Sequence, residues 1–268
     1  MRKIWWLVIS VVSVGLLAGG GHLVWRIFFL RPAPPPSTVT SPSSLKKVNE
    51  LELAKRPFVA LLPHPDPSQC SGVDLVIENL KNGETLAEYE MEYNAGPLIQ
   101  GVFGRREFTK QGAIHQPLLF GSCSKSKCKC DQDISGGNLT LNFMAKEDYA
   151  LKSDFTLQTV GEAEKLGSTD ARLSVAPGTA LPKGTEVIIM KTMGLPAELT
   201  GEVVAGPYGI FVPQGVTARG EMPLVLQGKE EGKLMFWNGK TWQELKAEVS
   251  DGKISSAIPN VGVVVLVK

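Results

Sequence analysis

The sequence has almost no net charge. Its 28 lysine and arginine residues are balanced by 27 aspartate and glutamate residues, which leaves a formal net charge of +1. A chain this neutral has no overall field that would attract nucleic acid or acidic substrates. We therefore expect no nucleic-acid partner. Long helical patterns are also missing beyond the N-terminal segment.

The motifs of common enzyme classes are missing as well. Of the three histidines, His22 lies in an apolar run, so only His64 and His115 remain as candidate general bases. Neither G-x-S-x-G nor H-E-x-x-H occurs. The stretch GKEEGKL, residues 228–234, is not a phosphate loop, because three residues rather than four separate its glycines and leucine follows its second lysine. The sequence predicts a protein that is not an enzyme, with a metal- or thiol-dependent enzyme as the last-ranked alternative.

One long apolar run is present, at the N-terminus. Residues 4–25 contain no formal charge, and at 1.5 Å per residue a helix of this length reaches roughly 33 Å, enough to cross a bilayer core of about 30 Å. Tryptophans favour the membrane interface, and Trp5, Trp6 and Trp25 lie at the ends of the run. We predict a single-pass signal-anchor helix in residues 1–30, with residues 4–30 in contact with the membrane.

The alternative for this segment is a cleaved signal peptide, because LLAGGG supplies small residues at which a peptidase cuts. Positive charges lie on both sides of the run and do not decide its orientation. The cysteines further along favour an N-inside, C-outside orientation, with the C-terminal domains extracytoplasmic.

The segment that follows the apolar run is rich in proline. RPAPPPSTVTSPSS, residues 31–44, holds five prolines, which exclude helix and sheet interior and favour a semi-extended stalk. We assign residues 31–69 to this stalk and its linker.

The rest of the chain has the pattern of short strands joined by tight turns. Leu86, Glu88, Glu90 and Glu92 alternate with Ala87, Tyr89, Met91 and Tyr93, which predicts a strand with one half-buried and one solvated face. Asn238-Gly239 and Asp251-Gly252 each predict a two-residue type I′ hairpin turn. The fold class predicted is all-β, with two tandem antiparallel β-sandwiches at residues 70–165 and 166–268.

The C-terminal part resembles a known module. LSVAPGTALPKGTEVII, GPYGIFVPQGVTARGEMPLVL, LMFWNGKTWQEL and SSAIPNVGVVVLV occur in that order. Residues 168–268 are therefore similar to the ZU5-like β-sandwich of bacterial surface proteins. The chain departs from that family in lacking an aromatic before Pro223 and the His-Phe-Ser ending. The resemblance implies a non-catalytic module of surface, adhesion or scaffolding proteins. Residues 72–160 more faintly resemble a cohesin- or carbohydrate-binding-like sandwich.

The chain has four cysteines, Cys70, Cys123, Cys128 and Cys130, the last three within the stretch GSCSKSKCKCDQDISGG. Outside the membrane they favour two disulfides, and three pairings are open. One alternative is a zinc site of Cys123, Cys128 and Cys130 completed by His115 or Cys70. The other alternative is that the cysteines are free thiols. Zinc is disfavoured because C-x4-C-x-C is not a common zinc spacing.

Asp131, Asp133 and Ser135, followed by Gly136, match the first half of a calcium loop. The twelfth position of that loop is Asn142 rather than the usual bidentate glutamate. An ordinary turn explains the same residues. Calcium is the one cofactor that the sequence suggests, and otherwise we expect none.

Two aromatic pairs are candidate ligand-binding residues: Trp237 with Trp242, and Tyr89 with Tyr93. Exposed in a groove, such rings would stack on sugars. Core or cross-strand packing is the alternative, and for Trp237 and Trp242 it is the favoured one. The function predicted first is a membrane-anchored extracytoplasmic surface protein with a non-catalytic adhesion, scaffolding or interaction role and a protein or glycan partner. A carbohydrate- or cell-wall-polymer-binding module is the main alternative.

Overall fold

The computed structural model describes residues 47–65, 70–108, 112–124, 127–228 and 231–268. The predicted anchor, residues 1–30, and most of the predicted stalk lie outside the described residues. Within the described ranges, no helix is long and apolar enough to cross a membrane. Those ranges contain one short 3-10 turn, Leu53–Lys55, and nineteen strands. All pairings between the strands are antiparallel, which confirms the all-β prediction.

The strands are β1 (Phe58–His64), β2 (Gly72–Glu78), β3 (Leu86–Ala95), β4 (Leu98–Glu107), β5 (Ile114–Leu119), β6 (Gly121–Ser124), β7 (Lys127–Cys130), β8 (Ile134–Met144), β9 (Tyr149–Thr159), β10 (Leu166–Gly167), β11 (Leu173–Val175), β12 (Glu186–Lys191), β13 (Val203–Phe211), β14 (Met222–Gln227), β15 (Lys233–Trp237), β16 (Trp242–Leu245), β17 (Glu248–Ser250), β18 (Lys253–Ile258) and β19 (Gly262–Val267).

A nine-stranded sheet dominates the fold, in the order β16-β15-β19-β13-β12-β9-β8-β3-β4. Two smaller sheets, β1-β2-β5 and β10-β11-β14-β18-β17, accompany it. Strands β6 and β7 form a separate hairpin. The nine-stranded sheet thus provides the surface on which both smaller sheets pack.

Strand β12 shows that the two smaller sheets cover opposite faces of the large one. Its residues Val187, Ile188, Ile189 and Met190 are all buried. Ile188 and Met190 join a core that includes residues of β1 and β2. Val187 and Ile189 join a second core that includes residues of β11, β14 and β18. Because successive side chains of a strand point to opposite faces, the two cores lie on opposite sides of β12.

The large sheet runs across the predicted boundary between residues 165 and 166. Strand β9, before the boundary, pairs with β12, after it, from Glu186 opposite Thr159 to Met190 opposite Phe155. Residues 47–268 form one compact unit. The division into two tandem sandwiches stays a prediction, since one sheet is common to both of its parts.

Local patterns were predicted with mixed success. The alternation along β3 is confirmed, with Glu88, Glu90 and Glu92 exposed and Met91 and Tyr93 buried. The Asp251-Gly252 turn is confirmed too, since both residues have positive φ and Ser250 pairs directly with Lys253.

The prediction of a type I′ turn at Asn238-Gly239 is wrong. Trp237 pairs with Trp242, so the loop has four residues, and of the Asn-Gly pair only Gly239 has positive φ. The Asn238 side-chain oxygen accepts the backbone N–H groups of Lys240 and Thr241, both at 2.9 Å. An asparagine that bonds its own turn in this way stabilises a longer loop.

Candidate functional site

The four cysteines form two disulfides, Cys70–Cys130 and Cys123–Cys128, and no cysteine is free. Cys123 and Cys128 lie directly opposite each other on β6 and β7. Cys70, which is buried, ties the end of that hairpin to the chain just before β2. The disulfide prediction is confirmed, and the structure decides among the three pairings that the sequence left open.

The disulfides leave no thiolate for the zinc site that was the alternative. The sulfurs of Cys70, Cys123 and Cys128 lie within 4.8 Å of one another. Zinc binds thiolates, however, and each of these sulfurs is in a disulfide bond. His115 instead lies 3.4 Å from a carboxylate oxygen of Glu78. The arrangement is a β-hairpin held by two disulfide bonds.

A cleft of about 780 Å³ lies beside this hairpin. Its acidic lining consists of Asp131, Asp133, Glu162 and Glu186. Burial raises the pKa of the Glu186 carboxyl above its usual value. The cleft has the predicted calcium ligands Asp131, Asp133 and Ser135 along one wall.

Of the three predicted calcium ligands, Asp131 already has a side-chain contact, whereas the bond at Asp133 involves its backbone. Asp131 accepts a hydrogen bond from the Tyr93 hydroxyl at 2.7 Å, and burial together with this bond raises the pKa of Tyr93. Asp133 has positive φ, and its carbonyl accepts the N–H of Gly96 at 3.1 Å. Among the described residues, only the three cysteine sulfurs form a close group of three histidine, cysteine, aspartate or glutamate ligand atoms. Calcium at Asp131, Asp133 and Ser135 stays a prediction.

Tyr93 is not a surface ring. It is 2% exposed and packs edge-on against Phe120 at 4.8 Å between ring centroids. Tyr89 is partly buried against the same core, with its hydroxyl over Gly104. Both rings lie on the face of β3 that the core covers. Tyr93 therefore cannot offer its ring to a sugar, which corrects its assignment as a ligand-binding residue.

Trp237 and Trp242 form a cross-strand pair, with ring centroids 5.5 Å apart and ring planes inclined at 55°. Both are partly buried against a small cluster that includes Phe58, Ala60 and Val263. The Trp242 indole N–H is buried and finds no acceptor among the described residues. The geometry is the cross-strand packing that the sequence favoured, and sugar binding by this pair stays a prediction.

A polar cluster that the sequence did not reveal surrounds Asp170, in the turn between β10 and β11. The Asp170 carboxylate accepts hydrogen bonds from the Ser168 hydroxyl at 2.7 Å and the Tyr208 hydroxyl at 2.8 Å. The Lys191 ammonium lies 2.9 Å away. Lys191 ends β12 and Tyr208 lies on β13, so these bonds join the β10–β11 turn to the large sheet.

The Asp170 cluster lines a cavity of about 280 Å³. Burial alone would raise the pKa of Asp170, but hydrogen bonds from Lys191, Ser168 and Tyr208 hold that pKa well below its usual range. The arrangement acts as a latch between two sheets. The sequence STDAR signals the turn, whereas nothing in it points to Lys191 or Tyr208.

The latch predicts a dependence of stability on pH. A carboxyl whose pKa is lower in the folded than in the unfolded state stabilises the fold above its unfolded pKa, about 3.9, and loses that contribution as the pH falls. We expect Asp170→Asn to flatten the fall in Tm below about pH 4, relative to the native protein. Thermal unfolding from pH 7 to pH 2.5 measures this. Asp251→Asn, in the exposed β17–β18 turn, is the matched control, and parallel curves for all three proteins would disprove the latch.

The most exposed apolar side chains of the described residues gather at one end of the large sheet. On β4, Phe103 is 83% exposed, Ile99 73% and Leu98 58%. Ile99 and Phe103 lie on the same face as Glu90 and Glu92 of β3. Exposed apolar groups that cluster in this way mark interaction surfaces. We call this surface, formed by β3 and β4, the open face.

The described residues thus define a disulfide-bonded, all-β protein with an open sheet face. No protein-family model, curated protein or solved structure matches the chain. The ZU5-like resemblance of residues 168–268 and the cohesin-like resemblance of residues 72–160 stay predictions.

Proposed function

We propose that this chain is a membrane-anchored extracytoplasmic protein whose compact unit, residues 47–268, has a non-catalytic interaction role. The observation that carries this proposal is the pairing of all four cysteines in two disulfides. Such bonds persist outside the cytoplasm and are rare inside it, where thiols are kept reduced. The uncharged run of residues 4–25 supplies the anchor.

The interaction role rests on how the described polar groups are used. Asp170 and Lys191 form an ion pair, and Asp131 accepts a hydrogen bond from the Tyr93 hydroxyl. These groups stabilise the fold rather than await a substrate. The open face, in contrast, presents Ile99 and Phe103 to solvent beside a row of glutamates. Such a mixture of apolar and charged side chains suits recognition of a protein surface.

The location can be tested with the full chain expressed in a bacterial host. We expect the chain to remain with the membranes after carbonate washing and to be degraded by protease added outside spheroplasts. A thiol reagent added to the denatured protein should label no cysteine before reduction and all four after it. These results follow if the anchor delivers residues 47–268 to an oxidising compartment.

The matched control is the double variant Leu16→Arg and Leu17→Arg, which places two charges in the predicted span and should release the chain from the membrane. A native chain found in the cytosol with four reactive thiols would contradict the proposal.

A further inference from the structure

Strand β4 ends the nine-stranded sheet, and among the described residues no strand pairs with its outer edge. It is ten residues long and pairs with β3 from Leu98 to Glu107 without a shift in register. Natural edge strands are usually blunted by prolines, lysines, bulges or shortness. Strand β4 has no proline, lysine or bulge, and its charged side chains are confined to its last three residues, Arg105, Arg106 and Glu107. The edge from Leu98 to Gly104 is therefore available for pairing.

The backbone groups that point outward follow from one hydrogen bond. The Phe108 N–H donates to the Thr85 carbonyl at 2.9 Å. Hydrogen-bonded and non-hydrogen-bonded pairs alternate along an antiparallel ladder. Counting back from Phe108, every second residue therefore directs its backbone N–H and C=O groups towards β3, and the residues between them direct these groups outward. The residues whose N–H and C=O groups face outward are Ile99, Gly101, Phe103, Arg105 and Glu107.

The side chains of these five residues lie on the open face, because their partners on β3 include Glu88, Glu90 and Glu92. The outward edge therefore carries a fixed pattern, which is apolar at Ile99 and Phe103, without a side chain at Gly101, cationic at Arg105 and anionic at Glu107. A strand that pairs with this edge must match that pattern.

A second copy of β4 matches it. When two β4 strands pair antiparallel about a two-fold axis at Phe103, the two Phe103 rings face each other across the axis. Gly101 of each copy then lies opposite Arg105 of the other, and Ile99 lies opposite Glu107. Directly opposed side chains in such a pair lie on the same face of the sheet, so the two aromatic rings form one apolar centre.

Charge complementarity supports this register. Gly101 pairs with Glu92 on β3. The side chain of Arg105 from the second copy meets no side chain at Gly101 and extends over it towards Glu92. Adjacent strands are about 4.8 Å apart, so the two Cα atoms are about 10 Å apart, within the combined reach of arginine and glutamate. The two-fold axis makes this ion pair twice.

We infer that this chain forms a two-fold symmetric dimer in which the β4 strands of two copies pair antiparallel, centred on Phe103, and join the two large sheets into one. This goes beyond the interaction role proposed above, because it names a second copy of the chain as the partner of the open face.

The main test uses sedimentation to measure the molecular mass of the full chain purified in detergent. The native chain is compared with the variant Phe103→Pro. The Phe103 N–H faces outward, so proline removes a bond to the second copy and none to β3, and proline is tolerated on edge strands. We expect the native chain to be a dimer at micromolar concentration and Phe103→Pro to weaken the dimer at least tenfold.

Val249→Pro is the matched control. Val249 lies on β17, which ends the five-stranded sheet. Ser250 and Lys253 flank a two-residue turn and form a hydrogen-bonded pair, so the backbone N–H of Val249 faces outward as that of Phe103 does. This variant carries the same change on another edge and should remain dimeric.

The register has its own test. Arg105→Glu places a glutamate against Glu92 of the other copy and should weaken the dimer at least tenfold, and adding Glu92→Arg should restore it. In oxidised mixtures, a Gly101→Cys chain should cross-link to an Arg105→Cys chain, whereas Gly101→Cys alone should not cross-link to itself.

Two outcomes overturn the inference. One is a native chain that stays monomeric at 100 µM, as expected if residues 1–46 of the same chain cover the β4 edge. The other is a dimer that Phe103→Pro leaves intact, as expected if the anchor or another surface holds it together. Neither outcome bears on where the chain resides, so a failure here is distinguishable from a failure of the proposed location.

Discussion

Replacing Cys70 and Cys130 together by alanine is expected to lower the free energy of unfolding by about 4 kcal/mol. The disulfide closes a loop with a sequence separation of 60, and the stabilisation from restricting the unfolded chain grows with loop length. The Cys123–Cys128 bond has a separation of 5, so removing it should cost only about 2 kcal/mol. Alanine avoids placing a hydroxyl at Cys70, which is 1% exposed.

Urea unfolding of the full chain in the absence of reductant measures both losses. The Cys123→Ala and Cys128→Ala double variant serves as the internal control, because it also removes one disulfide and two sulfurs. Equal losses from the two double variants would show that loop length does not govern these bonds. Equal stability of the oxidised and fully reduced native protein would show that the disulfides do not stabilise the fold.

Truncation of β12 should have an effect of similar size. Ile188 and Ile189 are both fully buried and point into different cores. Replacing either by alanine removes buried methylene groups and leaves a cavity, which typically costs about 2–5 kcal/mol. Because β12 pairs with both β9 and β13, we expect each variant to lower the stability of the whole described unit in a single transition.

Circular dichroism reports the sheets as a whole, and tryptophan fluorescence includes Trp237 and Trp242, which lie on β15 and β16. We expect the two signals to shift together for both alanine variants. Val249→Ala, at a side chain that is 56% exposed, is the control and should change stability by less than about 0.5 kcal/mol. Two separate transitions, with Ile188→Ala shifting only one of them, would instead support the tandem sandwiches predicted from the sequence.

Much of the local structure was predictable because it depends on neighbouring residues. The alternation of glutamates with Tyr89, Met91 and Tyr93 correctly assigned the two faces of β3. Asp251-Gly252 correctly predicted a tight turn. At Asn238-Gly239 the same rule failed, because the Asn238 side chain bonds the loop backbone and stabilises a four-residue connection.

The candidate site was less predictable because its members are far apart in sequence. Asp170 meets Lys191 and Tyr208 only when the β10–β11 turn packs against the large sheet. Tyr93 could be assigned to the half-buried face of its strand, but whether that face is covered depends on β1, β2 and β5. One signal was available for β12, since the unbroken apolar run from Val187 to Met190 is typical of a strand buried on both faces.

The sequence by itself determined the all-β character, the alternation of buried and exposed residues and the presence of four cysteines suited to disulfides. Only the tertiary structure decided which cysteines pair, that one nine-stranded sheet continues past residues 165 and 166, and that β4 lies at its edge. The physical reason is the range of the interactions. Side-chain period and turn chemistry act within a few residues, whereas sheet order and disulfide pairing depend on contacts between distant segments.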